Sequence, residues 1–361
     1  MLQQFYQEPI YSVQQQACFQ VKQLKYLLCR SSHSDDCYRD YLEKNLTVGF
    51  GQLKESEYEK VEYAKPSLVI LSPTIEIDEV EIMKLTDKLV LALENRHEHR
   101  KRYGIVHADK SSYIIGGYIL NPGNLERQMS THDYKYDHKA ELLQPITSLP
   151  ATLISFGLAT DGKYIAVVGG HSPSNRPSAE CFLMDIDNLP EKWVSLPNLP
   201  LPTSGPGVGM FDGEIHVIGG FDILSSESIT HGEYYRLTWP TDTQWRKQTS
   251  IESIRARSLV LLIPNRSAPL GRLIYVAGGY NVNTKRRPMV VPTILMFEEN
   301  DKQWKLVTTI PNFKLLHGLS FFEDKLHVSE STLKSEHDYD TRIIRSYDFT
   351  TNQWIESSKA R

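Results

Sequence analysis

Basic and aromatic side chains follow four pairs of glycines in this 361-residue sequence, and two more arginines stand in the stretch SIRARSL at 253–259. The guanidinium of arginine matches carboxylate and phosphate oxygens with two parallel hydrogen bonds, and tyrosine and arginine carry much of the binding energy at protein interfaces. The alternative is that these are solvated loop charges. We predict a site for acidic or phosphorylated groups built from Tyr118, His171, Arg176, Phe221, Arg255, Arg257, Tyr280, Lys285, Arg286 and Arg287.

Metal and covalent chemistry are the competing hypotheses. Cys29, His33 and Cys37 recur every four residues, and thiolate and imidazole bind zinc, but the closely spaced cysteine pairs of structural zinc sites are missing. No P-loop, nucleophile elbow or H-E-x-x-H motif occurs in the sequence. We therefore expect no enzymatic activity, no cofactor and no metal, and we interpret the cysteines as buried or unreactive thiols.

The glycine pairs mark an internal repeat. They end apolar runs that read YIIGG, AVVGG, HVIGG and YVAGG, and a tryptophan follows three of them after about 25 residues, as expected for a repeat architecture with a period near 50. Two further copies, SLVILSP at 67–73 and KLHVSES at 325–331, lack the glycines. The residues that we interpret as structural markers are Gly116, Gly117, Gly169, Gly170, Gly219, Gly220, Gly278, Gly279, Trp193, Trp245, Trp304 and Trp354.

Each repeat reads as four short antiparallel strands. The copy at 153–200 runs from LISFGLAT through a DGK turn to YIAVVGG, and then through a polar loop to CFLMDID and WVSLP. One such sheet has two exposed faces, and radial stacking of the copies buries them in a β-propeller. Glycine allows the inner strands to bend and converge at a crowded channel, and tryptophan fills the space between blades.

The composition disfavours nucleic-acid and membrane partners. The net charge is −4 without a long basic stripe, and no apolar run is long enough to cross a bilayer. The sequence MLQQFYQEPIY at the start lacks the pattern of a signal peptide, and the four cysteines do not form a disulfide framework. We therefore expect a cytoplasmic protein.

The glycine and tryptophan motifs resemble those of the kelch family over residues 58–357. The resemblance implies an all-β fold, a six-bladed kelch β-propeller of four-stranded antiparallel blades preceded by a short helical segment. The predicted domains are a helical segment at 1–56 and a propeller at 57–361, with blades near 57–95, 103–150, 153–200, 207–248, 258–308 and 318–357. Either the KVEYA stretch at 60–64 supplies an inner strand of the first blade, or that strand is missing.

The first segment resembles the end of the BACK domain of BTB–BACK–kelch adaptors. Cys37, Arg39, Asp40 and Leu42 match the run that precedes the propeller in that family. The resemblance implies a protein-interaction module that binds a peptide at the mouth of the channel as the substrate-recognition propeller of a cullin-RING ubiquitin ligase. An actin-binding or cytoskeletal kelch protein is the alternative, and a propeller enzyme is a third hypothesis.

Overall fold

The computed structural model describes most of the repeat region. All described residues belong to one compact unit, Glu55–Leu120 with Arg127–Arg361. The predicted N-terminal segment at 1–56, with its BACK-like run and its cysteines, and the KVEYA stretch lie outside the described residues. The structure describes residues 68–71, 79–94, 96, 100–108, 110–120, 127–130, 132–171, 176–188, 192–224, 227–264, 272–282, 289–299, 301–313, 316–332 and 341–360.

The described chain forms one helix and a series of short strands. The N-terminal part contains β1 (Leu68–Leu71), helix α1 (Glu79–Glu94), β2 (Arg100–Lys101), β3 (Gly104–His107), β4 (Ser111–Ile115), β5 (Tyr118–Leu120), β6 (Arg127–Met129), β7 (Asp133–Asp137) and β8 (Leu142–Ile146). The middle contains β9 (Gly157–Thr160), β10 (Tyr164–Val168), β11 (Cys181–Asp185), β12 (Trp193–Ser195), β13 (Gly207–Phe211), β14 (Glu214–Leu224), β15 (Glu227–Thr238) and β16 (Arg246–Lys247). The C-terminal part contains β17 (Leu259–Pro264), β18 (Arg272–Ala277), β19 (Tyr280–Asn281), β20 (Met289–Val290), β21 (Thr293–Glu298), β22 (Gln303–Thr309), β23 (Leu316–Phe322), β24 (Lys325–Thr332), β25 (Thr341–Asp348) and β26 (Gln353–Ala360).

The described residues form five four-stranded antiparallel blades of a propeller, and the prediction of six blades is wrong. Blade 1 orders its strands β3-β4-β7-β8, and blades 2 to 5 are β9 to β12, β13 to β16, β17-β18-β21-β22 and β23 to β26. The hairpin turns follow the sequence: Asp212 and Gly213 both have positive φ, as a two-residue hairpin turn requires, and join Phe211 to Glu214. The four strands of the last blade, β23 to β26, are consecutive in the chain.

Tryptophans hold neighbouring blades together. The indole N–H of each donates to a backbone carbonyl near the end of the preceding blade's outermost strand, and the indole packs with the apolar cluster between the two blades. This arrangement buries the apolar ring surface and satisfies its polar group. The donor–acceptor pairs are Trp193 to Thr147 at 3.0 Å, Trp245 to Pro197 at 2.8 Å, Trp304 to Thr249 at 2.9 Å and Trp354 to Thr309 at 3.0 Å.

Strand β1 and helix α1 lie where the first of the six blades was predicted. Strand β1 pairs in parallel with β3 and contacts β23 of blade 5, so it joins the inner strands of the last and first blades. The buried side of α1 is formed by Thr86, Leu89 and Leu93, at helical spacing, and it packs on the apolar face of blade 1. A single helix thus covers the face that another four-stranded sheet was expected to cover.

A buried polar contact fixes α1 to blade 1. The imidazole of His107, on the inner strand β3, lies 2.9 Å from the hydroxyl of Thr86 through Nε2 and 2.8 Å from the hydroxyl of Ser112 through Nδ1. Burial lowers the pKa of His107 to about 3, so the ring is neutral at pH 7 and both nitrogens are satisfied by hydroxyl groups. No helix in the described ranges is long and apolar enough to span a membrane.

Candidate functional site

The candidate site is the rim of the propeller, where the chain enters each inner strand. In blades 1 to 4, the residue after the glycine pair is paired in antiparallel fashion with the residue that leads into the inner strand of the same blade. The ring or imidazole at each position is therefore placed by the backbone. The pairs are Lys101 with Tyr118, Ile154 with His171, Ser204 with Phe221 and Ala256 with Tyr280.

The next residue in each of these segments has a left-handed backbone. These residues are Arg102, Ser155, Gly205 and Arg257, with φ between 52° and 58°. A chain of backbone hydrogen bonds links three of the blades: the amide of Arg257 donates to Gly205 at 2.7 Å, and the amide of Gly205 donates to Ser155 at 2.7 Å. Non-glycine residues adopt this conformation only where the surroundings enforce it, which these bonds do.

Arg257 extends from blade 4 across blade 3 toward blade 2. Its guanidinium lies 5.7 Å from the centre of the Tyr280 ring and donates to the hydroxyl of Ser155 at 3.3 Å. Gly205 leaves the space for this path, because a Cβ atom there would lie 3.0 Å from Cγ of Arg257. Cation–π attraction to Tyr280 and the hydrogen bond to Ser155 thus help to hold the half-buried guanidinium at the rim.

Hydroxyl and imidazole groups line the adjacent part of the rim. Nδ1 of His171 lies 2.5 Å from the buried hydroxyl of Ser204, and its ring meets Phe221 edge-on at 5.9 Å. Nε2 of His231 lies 2.8 Å from the hydroxyl of Thr203, and burial lowers the pKa of His231. His171, Phe221, Arg257 and Tyr280, which belong to the set predicted from the sequence, are therefore neighbours around Ser204 and Gly205.

Arg255 is a structural residue rather than a free binding group, which corrects its predicted role. It is completely buried, and its guanidinium donates to the carbonyls of Gly278 and Thr293 and to both oxygens of Ser253. Burial lowers its pKa to about 10, which still leaves it charged at pH 7. Arg100 occupies the corresponding position in blade 1, is also buried, and donates to the carbonyl of Gly116 at 3.2 Å.

The other predicted residues differ in accessibility. Tyr118 and Tyr280 are buried, so these two rings pack inside the rim and expose little surface to a ligand. Arg176 is exposed. Lys285, Arg286 and Arg287 lie outside the described residues. Sequence analysis missed Arg102, Ser155 and Ser204, although alignment of KRYG, ISFG, SGPG and ARSL at the four strand entrances would have identified them.

The glycine pairs adopt one conformation. Both members of every pair have positive φ, from 62° to 116°. At Gly219 a Cβ atom would lie 2.2 Å from the carbonyl oxygen of Arg255, so the backbone of the next blade occupies the space of a side chain. The pairs therefore bend the strand at the rim and allow adjacent blades to approach.

Comparison with known proteins gives partial matches. No family model matches the chain. It is 26% identical over 121 residues to Kelch-like protein 41 of Rattus norvegicus, covering 34% of this chain and 20% of that protein. It is 26% identical over 134 residues to Kelch repeat and BTB domain-containing protein 2 of cowpox virus, covering 37% of this chain and 22% of that protein. It is 22% identical over 273 residues to Kelch-like protein 40 of Mus musculus, covering 64% of this chain and 44% of that protein.

The matched stretches thus span less than half the length of each of these relatives. All three relatives are Kelch-like or kelch-repeat proteins by name. The repeated sequence motifs, the β-propeller of four-stranded antiparallel blades and these relatives together support the resemblance of the chain to the kelch-repeat family.

Proposed function

We propose that this propeller is a protein-interaction module that binds an acidic or phosphorylated peptide at the rim of blades 2 to 4. The observation that carries the proposal is the position of Arg257, which lies on Tyr280 and reaches Ser155 two blades away. A guanidinium held in this way has already lost part of its conformational freedom, so less entropy is lost when it binds a carboxylate or phosphate.

Two serine hydroxyls and two further arginines support recognition of an anionic group. Ser155 and Ser204 bring hydroxyl groups to the same rim, and Arg102 stands at the corresponding left-handed position of blade 1. Arg176 is exposed in the segment that follows His171. Arginine and hydroxyl groups are the side chains that bind carboxylate and phosphate oxygens through charge-assisted hydrogen bonds.

The finer proposal is that the propeller recognises substrates for a cullin-RING ubiquitin ligase in the cytoplasm. It rests on the resemblance of the chain to kelch-like adaptors. One of the relatives given above, from cowpox virus, is named for kelch repeats together with a BTB domain. An interaction module of this kind does not catalyse a reaction and requires no cofactor.

The experiment is selection from a displayed library of random peptides by the wild-type protein, Arg257→Ala and Arg246→Ala. Arg246 is the matched control. It lies on the outermost strand of blade 3, its side chain is 60% exposed, and it pairs with Asp242. We expect acidic peptides to be enriched by the wild type and by Arg246→Ala but not by Arg257→Ala. Equal enrichment by all three proteins, or none by the wild type, would refute the peptide site.

Two further assays separate the finer alternatives. Recovery of a cullin with the full chain from cell lysate, together with ubiquitination of a protein that carries the selected peptide, would support the adaptor role. Co-sedimentation with actin filaments that is unchanged in Arg257→Ala would instead favour the cytoskeletal alternative.

A further inference from the structure

A short ribbon beside Arg257 exposes two apolar side chains. Met289 and Val290 form strand β20, which pairs with β19, and their exposed fractions are 55% and 52%. Most other large apolar side chains that are exposed in the described ranges lie elsewhere, on helix α1 or on the outermost strands of the blades, at Leu91, Leu142, Val194, Leu306 and Ile355. The ribbon therefore presents apolar surface next to the rim, where a ligand of the propeller would lie.

The strand register separates the two side chains. Val290 is paired with Tyr280, and Met289 is paired with Asn281. Residues directly opposite each other in a sheet share a face, with Cβ atoms about 5 Å apart, and successive residues alternate between faces. Val290 is therefore on the face of Tyr280, the ring that lies under the guanidinium of Arg257, and Met289 is on the other face.

Hydrogen bonds at its base hold the ribbon in position. The amide of Val282 donates to the buried hydroxyl of Thr230 in blade 3 at 2.8 Å, and the amide of Val291 donates to the carbonyl of Gly279 at 2.8 Å. Val290 and Arg257 are thus parts of one pre-organised surface that consists of a guanidinium, an aromatic ring and an aliphatic side chain.

We propose that Val290 forms an apolar subsite and that the bound peptide carries a bulky apolar residue two positions from its acidic residue. This inference rests on the proposed peptide site. In an extended peptide, residues i and i+2 lie on one side and are about 7 Å apart. That spacing allows the carboxylate to reach Arg257 while the apolar side chain covers Val290, and the charge of Arg257 identifies the acidic partner of the pair.

The test compares two fluorescent peptides that differ at one position, one with glutamate-x-leucine and one with glutamate-x-serine. Their affinities are measured for the wild-type protein, Val290→Ser and Met289→Ser. Met289 is the matched control, because it has similar exposure on the same strand but faces the other way. We expect Val290→Ser to weaken binding of the leucine peptide about five-fold, the effect of leaving the exposed half of one valine side chain in water.

The serine peptide should bind all three proteins equally, and Met289→Ser should bind both peptides like the wild type. Arg257→Ala is titrated with both peptides as well. If the wild type binds both peptides with one affinity and Arg257→Ala binds both more weakly, the apolar subsite is refuted and the acidic-peptide site stands. If neither peptide binds the wild type, the peptide site and its apolar subsite are both refuted.

Discussion

Replacement of Arg255 by alanine is predicted to lower the stability of the propeller, whereas replacement of Arg257, two residues away, is predicted to weaken peptide binding about 30-fold. Arg255 is fully buried and donates five hydrogen bonds, three of them to backbone carbonyls. Arg257 is partly exposed at the rim. The sequence analysis placed both arginines in the binding site. Different effects of the two replacements on stability and on binding therefore test the structure directly.

The magnitude follows from the acceptors that lose their donor. The carbonyls of Ser253, Gly278 and Thr293 accept from Arg255 at 2.9, 3.2 and 2.9 Å. The Thr293 carbonyl also accepts from the amide of Gly278 at 3.3 Å, so the carbonyls that lose their donor are those of Ser253 and Gly278. A buried acceptor without a donor costs at least about 1 kcal/mol, so these two lower the free energy of unfolding by at least about 2 kcal/mol. The hydroxyls of Ser253 and Thr293 can rotate to other partners, and they are left out of this sum.

The assay is urea denaturation followed by tryptophan fluorescence for Arg255→Ala, Arg255→Lys and Arg257→Ala. The lysine variant keeps the charge, but its single ammonium group cannot reach all the acceptors, so its loss should be about half that of the alanine variant. Arg257→Ala should unfold within about 1 kcal/mol of the wild type. If Arg255→Ala is as stable as the wild type but no longer binds the peptide, the guanidinium of Arg255 contacts the ligand and its structural role is refuted.

Three further predictions follow from the site and from α1. Gly205→Val should strain the left-handed backbone, displace Arg257 and weaken peptide binding at least ten-fold in a titration. The folded-state pKa of His107, about 3, lies below the unfolded value of 6.5, so the unfolded state binds the extra proton as the pH falls. The free energy of unfolding should therefore fall by about 1.6 kcal/mol from pH 6.5 to 5, and by less in His107→Gln, as read from urea midpoints. Leu89→Ala should cost about 3 kcal/mol in the same assay, whereas Lys84→Ala, on the exposed side of α1, should cost almost nothing.

The repeated strands were predictable because each carries its own local signals. An apolar run, a glycine pair and a tryptophan at fixed spacing determine a blade wherever they occur, and the last blade forms from KLHVSES even without the glycines. Residues 79–94 were included in a blade because the period of about 50 extended back to them. The buried residues Thr86, Leu89 and Leu93 have helical spacing. This local pattern, and not the period of the repeat, matches the helix that the segment forms.

The rim was predictable in part. The aromatic and histidine positions after the glycine pairs follow from the repeat, and the structure brings His171 and Phe221 into contact. The different roles of Arg255 and Arg257 depend on which way each side chain points at a strand entrance, and a single sequence does not contain that information. The contact of Arg257 with Ser155 spans 102 positions of the chain and arises only when three blades are side by side.

The most direct measurement is a calorimetric titration of a selected acidic peptide into the wild-type protein, Arg257→Ala and Arg246→Ala. If the rim of blades 2 to 4 is the binding site, Arg257→Ala should weaken binding about 30-fold, the effect of losing a hot-spot arginine, and Arg246→Ala should match the wild type. Binding by Arg257→Ala with wild-type affinity would contradict the account.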